Sequence, residues 1–192
     1  MYDKIHREKR AFQGLSSVIN TIVKMIELQK AEQKQGDLLL VCGASAIEKA
    51  VNLREMQAGK DIAEGITQMI DQYPGLFPAD TAERKINQAV FYGQAMVRFC
   101  EEYEERKAEE FYGRALECLE KLNKDDGYEE RSRQIRRALL HNYLGTKRNS
   151  EPQETLKLAR ELENILEKEE LSFGTASDYV MISSCYRSAG QG

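Results

Sequence analysis

Few side chains in this sequence combine type and spacing in a way that suggests chemistry. It has two histidines, His6 and His141. Arg133, Arg137 and His141 follow one another at four-residue intervals, with Gln134 beside them. On a helix that spacing puts the three cationic groups in one stripe, on a different face from Leu139 and Tyr143. Guanidinium groups in a row can clamp carboxylates, because each offers a planar fork of donors. The same cations could equally pair within the chain, with Glu109, Glu110 or Glu161 on neighbouring helices.

A second cluster is acidic: Glu101, Glu102, Glu104, Glu105, Glu109 and Glu110. Paired carboxylates can bind a cation, but a dense run at a helix end reads first as a solvated turn. Neither Glu-x-x-His pairs nor zinc-ligand spacings occur, so no metal and no cofactor are expected. The cysteines, at 42, 100, 118 and 185, form no C-x-x-C motif and sit in apolar stretches. There a free cysteine acts as a small hydrophobe, which suits a reducing, cytoplasmic compartment. The segment Leu38 to Ser45, LLLVCGAS, could be a strand entering a phosphate loop. Neither glycine-rich phosphate pattern is present and no second strand can pair with it, so it reads as helix. No nucleophile–base constellation emerges, and an enzyme is not expected.

The scaffold must therefore carry the function. The chain of 192 residues is 41% hydrophobic and 31% charged, enough for one folded domain or one continuous array. A net charge of −4 gives no general attraction to nucleic acid or to anionic membranes. No apolar run approaches the length needed to span a bilayer, and no signal peptide is evident.

Helical periodicity runs throughout. Ile5, Phe12, Ile19 and Ile26 recur every seven residues, with Leu15 and Ile22 between them, predicting a long first helix over 3–34. Its broad apolar face should pack onto several helices, and Gly14 is its weak point. Gly36 should break that helix and Asp37 cap the next one, which runs to 57. A turn is expected at Ala58-Gly59, then a helix over 60–73 with Ile62, Ile66, Met69 and Ile70 inward. Pro74 to Pro78 is the firmest break. Asp80 or Thr81 should cap the following helix. Two helices fill the stretch to 123, Lys124 to Gly127 form a polar turn, and another helix spans 129–145 with Gly145 just past its end. A helix opening at Pro152 and a last one after a turn at Phe173-Gly174-Thr175 complete the chain. Tyr179, Ile182 and Tyr186 should face inward in that last helix.

Residues 88 to 122 show how the helices pair. Tyr92, Ala95, Met96 and Phe99 lie on one face; after a charged connection come Ala108, Tyr112 and Ala115. Met56, Phe99, Tyr143 and Tyr186 recur 43, 44 and 43 residues apart, and Ala63, Ala108 and Thr155 by 45 and 47. Small residues for close approach and aromatics between neighbours, at a fixed period, resemble the tetratricopeptide repeat. Tyr179, Ile182, Ser183, Tyr186 and Ala189-Gly190 follow the order of that family's first helix. The middle unit departs, with Arg136 where a bulky residue is expected and Ile135 beside it. The period also exceeds the family's 34 residues.

The resemblance implies an all-α array of stacked antiparallel hairpins, a right-handed solenoid of about eight helices, in one domain over 1–192. The first helix covers 1–35, hairpins follow at 37–73, 81–123 and 129–168, and 174–192 is an incomplete last repeat. It implies that the first helix of each pair lines a concave groove. Gln134, Arg137 and His141 would then face a partner, with Ser184 and Arg187 in similar places one unit later. The expected function is a non-enzymatic scaffold binding a protein segment or peptide in that groove. The alternative is a peptide-sensing regulatory domain, as in bacterial quorum-sensing regulators. Apolar surface around the last helix, at Val180, Met181 and Cys185, suggests a fragment, or completion by a partner such as a second copy of the chain.

Overall fold

The computed structural model describes residues 2–122, 127–147, 151–167, 169–170 and 172–190. Eight α-helices and one short 3₁₀ turn build the described residues, with no strand among them. In order they are α1 Tyr2–Glu27, α2 Gln33–Leu53, α3 Met56–Gln72, the 3₁₀ turn Pro74–Leu76, α4 Ala82–Glu101, α5 Glu105–Glu120, α6 Glu129–Lys147, α7 Pro152–Leu166 and α8 Phe173–Ser188. The segment 38–45 lies inside α2.

Helices α2 and α3, α4 and α5, and α6 and α7 pack as hairpins. The first helices α2, α4, α6 and α8 also pack side by side, each on the next. Outer helices α3 and α5 meet through ion pairs instead, Arg114 with Asp71 at 3.0 Å and Lys107 with Glu64 at 3.6 Å. Close approach on one side only makes α2, α4, α6 and α8 the inner layer.

The aromatic residues singled out by periodicity fill the seams. Phe99 of α4 stacks on Phe111 of α5 with ring centres 5.2 Å apart. Tyr112 of α5 stacks on Tyr143 of α6 at 4.2 Å, joining one hairpin to the next. Such offset pairs contribute about 0.5–1.5 kcal/mol beyond the burial of their area. Ala63, Ala108 and Thr155 are fully buried on α3, α5 and α7, where small side chains let the outer helices approach. Ile135 packs against the core, while Arg136 turns out to pair with Glu161 at 2.5 Å.

Several expected boundaries move. The first helix ends at Glu27, not at 34, because Gln29 adopts φ +55° and Lys30 N–H closes on the Met25 carbonyl at 2.8 Å. Its apolar face packs on α2 rather than on several helices, and Ile5 stays exposed. Glu32, not Asp37, starts α2, its N–H donating to Gln35 Oε1 at 2.9 Å, while Asp37 pairs with Arg84. That helix ends at Leu53, four residues early, with Arg54 at φ +60°. Met56 therefore opens α3 and falls out of register with Phe99, Tyr143 and Tyr186, which lie in the last turns of α4, α6 and α8. Thr81 caps α4 by accepting from Arg84 N–H, and Pro152 opens α7 as expected. Ser172 caps α8, with Thr175 completing the cap and Phe173-Gly174 already in the helix. The turn expected at 124–126 and part of the loop before Pro152 (148–150) lie outside the described residues, as do Gln191 and Gly192.

The glycines explain most of these shifts. Gly36, Gly59 and Gly145 were expected to end helices, but each lies inside one. A Cβ on Gly36 would fall 2.1 Å from the Leu76 carbonyl oxygen, so the absent side chain lets α2 pass the 3₁₀ turn. The true helix ends instead place Gln29, Arg54 and Tyr103 in the left-handed region. A side chain there costs about 1–2 kcal/mol.

Candidate functional site

The inner layer carries the candidate site. On α4, Val90, Gln94 and Val97 follow one stripe; on α6, Ala138 and Asn142 face it; Ser177 and Met181 continue it on α8. Three clefts result. One lies between α4 and α6, about 120 Å³, lined by Val90, Gly93, Gln94, Val97, Ala138 and Leu139 among others. A second, about 440 Å³, lies between α6 and α8 around Gln134, Arg137, His141, Phe173 and Ser177. The third, about 210 Å³, sits where α4 ends, lined by Val97, Cys100, Glu101, Tyr103, His141, Gly145, Thr146 and Met181. Asn142 lines all three, so the clefts adjoin one another on the inner layer. Small residues bring the helices close beside them: a Cβ on Gly93 would meet Leu139 at 3.1 Å, and one on Gly145 would meet Met181 at 3.5 Å.

Arg137 and His141 come together in the second cleft, but on a carboxylate of the chain itself. Arg137 Nε donates to Asp178 Oδ2 at 2.5 Å and Nη1 to Glu169 Oε2 at 2.6 Å. Nδ1 of His141 lies 2.6 Å from Asp178 Oδ1. Asp178 is 5% exposed, so this is a buried carboxylate held by two donors. Arg133 pairs with Glu130, and its Nη1 lies 3.8 Å from Glu169. Gln134 donates to Glu130 at 2.8 Å. The partners of this stripe are Glu169 and Asp178, which sequence reasoning did not single out. They lie 32 and 41 residues from Arg137, across a turn no local pattern specifies.

Ser184 and Arg187 do not join this group. Arg187 is nine residues past Asp178 on α8, and at 100° per residue it points to the opposite side. Ser184 is half-buried, about 120° from Asp178 on the same helix. Gln134, Arg137 and His141 line the second cleft, and Ser184 and Arg187 are not among the residues lining any of the three. The inward face of α8 is Thr175, Asp178, Ile182 and Cys185, while Tyr179 is exposed. Cys185 is buried and Met181 lies against Gly145, leaving Phe173, Tyr179 and Val180 as the large apolar groups that α8 exposes.

The acidic cluster is largely cross-linked. Glu102 accepts from Arg98 at 2.8 Å, Glu104 pairs with Lys60 at 3.1 Å, Glu109 lies 3.5 Å from Lys147, and Glu110 is near Arg114. Arg98 is itself fully buried, donating also to the Met56 carbonyl at 2.6 Å, and so ties the start of α3 to the α4–α5 turn. Among the described residues no group of three or more His, Cys, Asp or Glu is placed to hold a metal ion. No helix there is long and apolar enough to cross a membrane.

None of the four cysteines forms a disulfide. Cys100 shares the third cleft with His141, yet burial pushes its thiol up, only partly countered by a hydrogen bond from Thr146. A nucleophilic cysteine needs the opposite shift. Cys118 is buried and pushed up to about 11 by desolvation.

No family model, curated protein or solved structure matches the chain, so these clefts and the inner helical layer are the observations from which function is argued.

Proposed function

We propose that the chain is a non-enzymatic scaffold, a tetratricopeptide-like right-handed array whose inner layer holds a segment of a protein partner. One observation carries this reading: three neighbouring clefts on α4, α6 and α8 share Asn142 in their linings. Adjoining clefts open to solvent, lined by small and apolar residues and by amides, suit an extended or helical segment. Gln94 carries an amide donor and acceptor, and Asn142, whose Nδ2 donates to the Ala138 carbonyl at 2.8 Å, keeps its Oδ1 and a second N–H, the groups a peptide backbone pairs with.

Position-specific photo-crosslinking tests the proposal. A benzophenone amino acid placed at Gln94 or at Asn142 should give adducts with a discrete partner segment, identified by mass spectrometry. The same group at Glu120, at the end of α5 on the outer layer, should not. Equal labelling from all three positions removes the groove from consideration.

A further inference from the structure

The cleft at the end of α4 differs in character from its neighbours. The residues lining it include Glu101, Tyr103, His141 and Thr146, with no lysine or arginine among them. Arg137 lines the adjoining cleft, where its guanidinium is engaged by Asp178 and Glu169. His141 turns Nδ1 onto Asp178, so in the neutral ring Nε2 is the acceptor left for the clefts. Tyr103 is the most telling residue. It sits at φ +58°, where glycine is the least strained choice, and its side chain is 77% exposed. No core packing requires an aromatic there. Tyr103 instead lines the cleft together with Glu101, and an aromatic ring with a carboxylate is the pairing that attracts an organic cation.

We propose that this cleft receives a lysine or arginine side chain of the partner segment, whose neighbouring apolar residues lie along Val97 toward Val90. The proposal rests on the groove reading and specifies its occupant: a segment with a basic residue next to apolar ones, the reverse of an acidic peptide. Charge complementarity selects it, since the lining offers a carboxylate, an aromatic face and acceptors, and Met181 and Val97 contact the aliphatic stem.

The test is amide chemical-shift titration of the full-length ¹⁵N-labelled chain. Three probes are used: N-acetyl-leucyl-arginine amide, its neutral citrulline counterpart, and the glutamate analogue. The arginine probe should shift the amides of Tyr103, Gly145 and Thr146 saturably, and the citrulline probe should bind about fivefold more weakly, the value of one solvent-accessible ion pair. Glu101→Gln should shrink that difference, leaving the part the Tyr103 ring supplies. Tyr103→Gly should raise the melting temperature, by relieving the left-handed side chain, and yet weaken the arginine probe about threefold. Equal binding of arginine and citrulline probes at these amides overturns the proposal, as does an unchanged affinity in Tyr103→Gly. If the probes shift only Val90 and Gly93, the cation site is wrong and the groove stands. If none shifts any groove amide, both fail.

Discussion

Asp178 is the residue on which the last helix depends, and its removal has a calculable consequence. Its carboxylate accepts from Arg137 at 2.5 Å and meets His141 at 2.6 Å, so Asp178→Ala deletes two charge-assisted bonds between α6 and α8. Each such bond contributes roughly 1.5–3 kcal/mol when fully sequestered. Two features reduce the sum. Arg137 keeps Glu169 at 2.6 Å, and the Arg137 and His141 side chains are 21% and 29% exposed, so water re-solvates what is lost. We expect a destabilisation of about 2 kcal/mol, with Asp178→Asn nearer ~1 kcal/mol, because the amide still accepts from one partner while opposing a donor to the other. The effect should be local first. Hydrogen exchange in α8 should accelerate roughly 30-fold, the equivalent of 2 kcal/mol, while the α4–α5 amides change little. In a double-mutant cycle Arg137→Ala and Asp178→Ala should couple by more than about 0.5 kcal/mol. A change below ~0.5 kcal/mol in urea melts, or faster exchange spread evenly over all helices, refutes the idea that this carboxylate fastens α8.

Glycine substitutions should separate two roles. Gly14→Ala, on an exposed turn of α1 with open space around it, should stabilise by up to about 1 kcal/mol, whereas Gly36→Ala should cost about 1–3 kcal/mol because the new Cβ meets the Leu76 carbonyl; paired chemical melts give both signs. Arg54→Gly should raise stability by about 1 kcal/mol through relief of the left-handed backbone, read as a shift in the melting midpoint. Alkali should weaken the fold from pH 9 upward. The Cys118 thiol is pushed from 9.0 to about 11, so between those values the unfolded chain releases a proton that the native one keeps, and stability falls as pH rises. Denaturant midpoints between pH 8 and 11 check this, and a Cys118→Ala variant should show a shallower decline. Cys118 should also resist thiol reagents at neutral pH until the chain unfolds.

What the sequence determined by itself was the inventory of helices and the residues that seal them. Periodicity of apolar side chains is a local property, and it survives folding because burying that stripe is what holds each helix in place. Phe99, Tyr112 and Tyr143 pack where their spacing put them; Pro74 and Pro152 mark boundaries through constraints on their own backbone, and Thr81 through its capping hydroxyl. Tertiary structure decided the rest. Gly36, Gly59 and Gly145 look like punctuation until a neighbouring element is seen within contact distance of the missing side chain. Arg54 and Tyr103 take left-handed positions that no local preference of arginine or tyrosine favours, because the helices they join must turn there to pack. The cationic stripe on α6 was legible, but its partners were not. Glu169 and Asp178 reach Arg137 only because α8 folds back across α6, and a carboxylate 41 residues away becomes a neighbour through stacking, which spacing along the chain does not encode.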